Sequence, residues 1–119
     1  MIPAGVQVFV AVQPVNLRFG FERLAGIVAE TFGYEARGGA LFVFLNKRRD
    51  ALKLLFFDGT GLCIFYKRLD HGLFQLPMSD SVVAGVVGEI SEQRLEALLD
   101  GINLEPVVKA DKVARRRIH

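Results

Sequence analysis

The chain has 119 residues, of which 51% are hydrophobic and 24% are charged. This length suits a single domain, because domains most often contain roughly 100–150 residues. The composition excludes an intrinsically disordered chain, which combines low hydrophobicity with high net charge. Cys63 is the only cysteine, so an internal disulfide and a cysteine-based zinc site are both excluded. We expect a cytoplasmic protein that needs no metal or other cofactor.

Neither a secretion signal nor a membrane span is predicted. The first five residues do not form a basic region that leads into an apolar run. The longest apolar stretches, residues 40–45 and 82–87, are far shorter than the roughly 20 residues that a membrane-spanning helix needs.

The formal net charge of +2 hides an uneven distribution. Residues 37–70 contain seven basic and three acidic side chains, and residues 112–119 contain four basic ones. Residues 80–111 contain two basic and seven acidic side chains. This asymmetry indicates an anionic partner for one face and a different partner for another, although ordinary solvated charges are the alternative interpretation.

The first third of the chain predicts a strand followed by a helix. Valine occupies every second position over residues 6–12, with Gln7, Phe9, Ala11 and Gln13 on the other face. This alternation is typical of a half-buried strand, and Pro14 ends it. Apolar residues then recur at helical spacing over residues 17–32. Asn16 is the predicted N-cap of this helix, and Gly33 is its predicted left-handed C-terminal residue.

Short apolar runs separated by turns predict an antiparallel meander in the middle of the chain. The four predicted strands are residues 41–45, 52–57, 62–68 and 73–76. Because these runs are apolar on both faces, the meander packs on the first helix with one face and needs a second cover. The C-terminal helix and another subunit are the two candidates for that cover.

The last third predicts a further strand, a second helix and a tail. Residues 82–90 form the candidate strand, Ser91 is the predicted N-cap and Gly101 the stop of the helix. The predicted fold is α+β, in the order β-α-β-β-β-β-(β)-α, within one domain over residues 1–106. Residues 107–119 are predicted to be a basic, flexible tail.

Catalytic patterns are absent from the sequence. His71 and His119 have no second metal ligand at helical or hairpin spacing, and Cys63 lies in an apolar strand with no activating histidine. Asp50 and Asp70 are predicted at one end of the sheet and Asp58 at the other, so the three cannot share a two-metal site. Turn formation is the more common role of such aspartates.

The same geometry gathers positive charge at one end of the meander. Lys47, Arg48 and Arg49 belong to one predicted turn, Lys67 and Arg68 arrive at the same end, and Lys53 lies a few residues away. A cluster of this kind suits contacts to phosphates. The interleaved aromatic residues are interpreted as core or interface residues, with base stacking as the alternative.

Several segments resemble a known bacterial family. Residues 16–25 read NLRFGFERLA, residues 39–50 read GALFVFLNKRRD, and LKLL and YKRL follow at residues 52–55 and 66–69. These segments resemble the TnpB-type accessory protein encoded by the second reading frame of insertion-sequence-66-like transposable elements. The resemblance covers residues 2–104, and its matching charged positions include Arg18.

The resemblance implies a non-catalytic accessory protein of DNA transposition, because strand cleavage in these elements is attributed to a separate transposase. The expected partners are that transposase, DNA at the element ends and a second copy of the chain. The predicted nucleic-acid-binding residues are Arg18, Lys47, Arg48, Arg49, Lys53, Lys67 and Arg68. Two alternatives stay open: a protein-interaction module that uses the acidic face Glu92, Glu96 and Asp100, and a small metal-dependent nuclease that uses Asp50 and Asp70.

Overall fold

A computed structural model describes residues 5–75, 81–83 and 87–101. The elements are β1 (Val8–Ala11), α1 (Phe21–Ile27) continued by a π-helical segment (Val28–Phe32), β2 (Leu41–Leu45), β3 (Ala51–Phe57), β4 (Leu62–Arg68), β5 (Ser81–Val83), β6 (Val87–Ile90) and α2 (Glu92–Asp100). The predicted α+β class is confirmed. The predicted domain end at residue 106 and the predicted tail lie outside the described residues.

The strands form one six-stranded sheet in the order β4-β3-β2-β1-β6-β5. β1 and β2 are parallel, with α1 crossing between them, and all other neighbours are antiparallel. β1 therefore lies inside the sheet, between β2 and β6. All four of its residues are buried, so the prediction of a half-buried strand is wrong: helices cover the sheet on both sides.

Each face of the sheet carries its own apolar cluster. One cluster joins Val43 and Leu54 of the sheet to Leu95 and Leu98 of α2. The other joins Phe42 and Phe44, on the opposite face of β2, to Leu24 and Val28 of the first helix. The second cover of the meander is therefore the C-terminal helix of the same chain, which settles the choice that the sequence left open.

The first helix begins later than the sequence predicts. Asn16 does not cap it: the Asn16 side-chain oxygen accepts a hydrogen bond from the backbone N–H of Arg18 at 2.9 Å and closes a separate turn. Gly20 has an extended backbone, and α1 starts at Phe21. Gly33 ends the π-helical segment with φ +72°, as predicted. The loop that replaces the first helical turn places Arg18 at the end of the sheet.

The predicted strand over residues 73–76 is also wrong. Residues 73–75 are not in a strand, and residue 76 lies outside the described part of the chain. The backbone N–H of Phe74 donates to the Arg49 carbonyl at 2.6 Å, and the Phe74 ring is fully buried in the cluster under α2. After β4 the chain therefore crosses beneath the β2–β3 turn, where burial of Phe74 replaces strand pairing.

The second half of the chain follows its local signals more closely. The predicted strand over residues 82–90 is two strands, β5 and β6, which pair with each other while β6 also pairs with β1. Ser91 caps α2 as predicted, because its Oγ accepts from the backbone N–H of Arg94 at 3.1 Å. Gly101 ends α2 with φ +76°.

Asp58 organises the β3–β4 turn at the far end of the sheet. Its carboxylate accepts from the backbone N–H and hydroxyl of Thr60 and from the backbone N–H of Gly61, at 2.8–3.0 Å. These hydrogen bonds, led by the one from the Thr60 backbone, lower the pKa of Asp58 to about 2. The ionised carboxylate is therefore part of the folded turn.

This turn makes stability depend on pH in the acid range. Because folding lowers the pKa of Asp58 from 3.8 to about 2, its contribution is complete above pH 3.8 and is lost as the pH falls toward 2. We expect the free energy of unfolding to fall more steeply over that range in the wild type than in Asp58→Asn, which cannot ionise. Urea unfolding at a series of pH values measures both slopes. Equal slopes would contradict the assignment.

Candidate nucleic-acid interface

Three segments that are distant in the sequence meet at one end of the sheet. The backbone N–H of Val15 donates to the Leu45 carbonyl at 2.9 Å, so the loop after β1 runs beside the end of β2. The backbone N–H of Leu69 donates to the Asp50 carbonyl at 2.8 Å, which holds the end of β4 against the β2–β3 turn. The loop after β1, the β2–β3 turn and the end of β4 therefore form one surface.

The β2–β3 turn is held by the side chains at its two ends. Asn46 Nδ2 donates to Asp50 Oδ1 at 2.6 Å, and Asn46 Oδ1 accepts from the backbone N–H of Ala51 at 3.2 Å. The hydrogen bond from Asn46 lowers the pKa of Asp50. Arg48 Nε lies 3.9 Å from Asp50 Oδ2, and its positive charge lowers the pKa further. Asp50 is thus ionised, and its carboxylate is hydrogen-bonded within its own turn. Turn formation by itself explains the presence of an aspartate at this position.

Arg49 closes this turn in a left-handed conformation, with φ +63°. Residues other than glycine, asparagine and aspartate rarely adopt it, since the side chain crowds the backbone. Two hydrogen bonds hold Arg49 there: its N–H donates to the Asn46 carbonyl, and its own carbonyl accepts from Phe74. The exposed basic turn is therefore anchored to the backbone of Phe74, whose side chain is buried.

A groove of about 470 Å³ opens where the three segments meet. Its lining residues are Pro14, Val15, Asn16, Leu17, Arg18, Asn46, Lys47, Tyr66 and Arg68. Arg18, Lys47 and Arg68 are all exposed, and each comes from a different one of the three segments. No lining residue is acidic. The groove therefore concentrates positive charge around a concave surface that also holds an aromatic ring and two asparagines.

Tyr66 is fixed in the groove by two basic side chains. Arg68 Nη2 donates to Tyr66 Oη at 3.1 Å, and this hydrogen bond is the largest cause that raises the pKa of Arg68. Lys53, which is opposite Tyr66 in the β3–β4 register, places Nζ 5.4 Å from the ring centre. Lys53 Nζ also donates to the Phe19 carbonyl at 2.9 Å. This hydrogen bond fixes the ammonium group of Lys53 beside the Tyr66 ring.

Lys67 lies on the other face of the sheet. It is opposite Leu52, which belongs to the cluster under α2, and Lys67 Nζ donates to the Leu99 carbonyl in the last turn of α2 at 2.6 Å. A positive charge there complements both the carbonyls and the negative end of the helix dipole. The alternation of side chains along β4 thus directs Lys67 to a structural contact and its neighbours to the groove.

The structure brings together three of the seven residues predicted to bind nucleic acid. Arg18, Lys47 and Arg68 line the groove, Arg48 and Arg49 are exposed on the adjoining turn, Lys53 supports Tyr66, and Lys67 contacts α2. From the sequence, Tyr66 is interpreted, with the other interleaved aromatic residues, as a core or interface residue, whereas its side chain is exposed in the groove. Asn46, which also lines the groove, is not among the site residues predicted from the sequence. Tyr66 lies two residues before Arg68 on the same predicted strand. Because residues two apart in a strand share a face, the sequence could have placed Tyr66 beside Arg68.

Other kinds of site find no support in the described residues. Among them, no three histidine, cysteine, aspartate or glutamate side chains are grouped so that they could hold a metal ion. Burial and the nearby Asp58 carboxylate raise the pKa of the Cys63 thiol, which disfavours its reactive thiolate form. No helix in the described part of the chain has the length and apolarity that a bilayer crossing requires.

Comparison with known proteins places the chain in a family. The family model described as IS66 Orf2 like protein matches residues 6–109, which include every groove residue. The chain belongs to this family. Membership links the IS66 Orf2 like chain to an accessory role in transposition.

Two relatives of this IS66 Orf2 like protein come from Sinorhizobium fredii. The uncharacterized protein y4hO is 38% identical over 105 residues, which cover 87% of this chain and 88% of the relative. The uncharacterized protein y4jC is 31% identical over 115 residues, which cover 92% of this chain and 95% of the relative. No solved structure matches the chain. The relatives thus match this chain in length as well as in sequence.

Proposed function

We propose that this protein is a non-catalytic accessory factor of transposition that contacts DNA through the groove at the end of its sheet. The observation that carries the proposal is the convergence of Arg18, Lys47 and Arg68 from three separate segments onto a groove without a carboxylate. Basic side chains that contact phosphates release counterions and supply most sequence-independent affinity for DNA. Family membership supplies the biological setting, the movement of an insertion-sequence-66-like element.

The electrostatics of the neighbouring turn support this use of the groove. Asp50, the carboxylate of the β2–β3 turn, is hydrogen-bonded to Asn46, lies near Arg48 and also interacts with the charge of Arg68. Of the three groove cations, Arg18 and Lys47 are not among the groups that interact with Asp50, which leaves them available to an anion. Asp58 lies at the opposite end of the sheet, where its carboxylate is engaged by Thr60 and Gly61.

Non-catalytic action is proposed because no described group of side chains offers a reaction centre. The nuclease alternative needs Asp50 as a metal ligand, whereas its carboxylate forms the β2–β3 turn. The interaction-module alternative relied partly on strands that are apolar on both faces, and α2 covers the second face. We propose the transposase of the same element as the protein partner, with DNA at the element ends as the shared substrate.

The test compares two variants of equal net charge. Arg18→Gln with Lys47→Gln removes two exposed charges from the groove, and Arg23→Gln with Arg37→Gln removes two exposed charges outside its lining. Fluorescence anisotropy with labelled DNA from the element ends, over a series of salt concentrations, measures affinity. We expect the groove variant to bind at least about tenfold more weakly and to lower the salt slope by about 1.4–1.8, since each of two phosphate contacts contributes ~0.7–0.9.

The control variant should bind within about threefold of the wild type, because it changes only the overall field of the protein. A transposition assay with a marked element supplies the second readout, in which the groove variant should reduce the frequency and the control should not. Equal affinities of the two variants for DNA would overturn the proposed interface.

A further inference from the structure

Tyr66 distinguishes this groove from a plain basic patch. Its side chain is 49% exposed, although it lies on a seven-residue strand among half-buried neighbours. An exposed aromatic side chain forgoes the favourable free energy that burial of its apolar surface would contribute to folding. The ring lines the same groove as the three converging basic residues, so its exposed surface is presented at the place where an anionic ligand would lie.

The ring is also held in place before any ligand binds. Arg68 bonds the hydroxyl at one end of the ring, and Lys53 lies over one ring face. Lys53 is itself held by the Phe19 carbonyl, and Tyr66 is held by strand pairing on β3. A preorganised aromatic platform loses little conformational entropy on binding, which favours stacking of a planar partner.

The size and composition of the groove indicate what that partner is. A volume of about 470 Å³ lies within the range of small-ligand sites, ~300–1,000 Å³. It holds a nucleotide-sized group rather than the full width of a duplex. Basic side chains for a phosphate and an aromatic ring for a base match the parts of a nucleotide.

We infer that the groove binds unpaired nucleotides of single-stranded DNA, with Tyr66 as the stacking platform for a base. This inference rests on the proposed function and specifies its ligand. In a duplex the base faces are occupied by neighbouring base pairs, so Tyr66 cannot stack unless a base leaves the helix. In a single strand the base faces are accessible, and Arg18, Lys47 and Arg68 contact the adjoining phosphates.

The experiment uses the full-length protein and two labelled probes of about 12 nucleotides, within the ~4–16 that single-strand-binding modules occupy. One probe is an oligothymidylate, and the other is a G·C-rich duplex of the same length, whose pairing is checked by its melting curve in the same buffer. We expect the wild type to bind the single strand about tenfold more tightly than the duplex at low salt. Tyr66→Leu should lose most of this preference, since stacking of one base contributes about five- to 150-fold in affinity.

Two further variants separate stacking from folding and from general exposure of an aromatic residue. Tyr66→Phe keeps the ring and removes the hydroxyl that bonds Arg68, so it should retain the preference for the single strand. Phe21→Leu removes an aromatic side chain that is 48% exposed outside the groove lining, and it should bind as the wild type does. Circular dichroism establishes that each variant is folded.

The outcomes separate the inference from the proposed function. If the wild type binds both probes equally and Tyr66→Leu changes neither affinity, DNA contact stands and the single-strand inference is overturned. If the wild type binds neither these probes nor element-end DNA, both fail. A preference for the single strand that Tyr66→Leu abolishes and Tyr66→Phe retains supports both.

Discussion

Replacing Phe42 with alanine should lower the free energy of unfolding by about 3–5 kcal/mol, the range measured for Phe→Ala changes in protein cores. The Phe42 side chain is fully buried on the face of β2 that packs against the first helix. Its ring lies 5.3 Å from that of Phe32 in a T-shaped pair and 5.9 Å from that of Phe9 in a stacked pair. The change therefore removes apolar burial and the ring contacts with Phe9, Phe32 and Tyr34, and it leaves a cavity between the sheet and the helix.

This loss is large compared with the usual total stability of a domain, about 5–15 kcal/mol. Urea unfolding followed by circular dichroism measures it. Phe21→Ala is the matched control, because Phe21 is half-exposed at the start of α1, and it should cost less than about 1 kcal/mol. Similar losses for the two variants would contradict the packing of α1 against this face of the sheet.

The second large effect is expected at Lys67. Lys67→Met should lower the free energy of unfolding by about 1–3 kcal/mol, because hydrogen bonds to charged groups contribute ~1.5–3 kcal/mol and the helix dipole ~0.3–1. Methionine keeps the apolar stem of the side chain and removes the ammonium group that bonds the Leu99 carbonyl. Hydrogen exchange should show that the last turn of α2 opens more readily in the variant.

Lys47 is the matched control, since it is an exposed lysine in the groove. Lys47→Met should leave the free energy of unfolding within about 0.5 kcal/mol of the wild type. It should weaken DNA binding, whereas Lys67→Met should leave the affinity of the folded protein unchanged. A stable Lys67→Met that binds DNA poorly would assign Lys67 to the interface and not to α2.

The different positions of Lys67 and Arg68 show why a count of charges does not define an interface. Lys67 and Arg68 are adjacent in the sequence, yet one contacts the last turn of α2 and the other lines the groove. Alternation along β4 separates them, because successive side chains of a strand point to opposite faces. Two charges that appear as one basic cluster in the sequence therefore serve stability and recognition separately.

Local sequence signals predicted the elements that depend on a few neighbouring residues. The β2–β3–β4 meander, the Ser91 cap and the left-handed glycines at 33 and 101 all occur as predicted. Caps and tight turns are decided by hydrogen bonds within a few residues and by the freedom of glycine at positive φ. The position of Asp58 opposite the basic end of the sheet followed from the same antiparallel reasoning.

The errors concern segments where distant contacts overrule local preference. Asn16 is a good N-cap residue, yet its loop runs along the end of β2 and the helix begins at Phe21. Residues 73–75 have strand-like composition, yet Phe74 is buried under the β2–β3 turn and bonds the Arg49 carbonyl. In both segments, burial and hydrogen bonds to residues remote in the sequence determine the path of the chain.

The sequence by itself determined the α+β class, the family resemblance and the concentration of positive charge in the middle of the chain, since these follow from composition, periodicity and motif. Only the tertiary structure decided that Arg18 joins this charged surface and that Lys67 lies on the other face of the sheet. The parallel pairing of β1 with β2 places Arg18 beside the β2–β3 turn, and the β3–β4 register places Tyr66 over Lys53. Strand order and register arise from packing on both faces of the sheet, which no local stretch of sequence specifies.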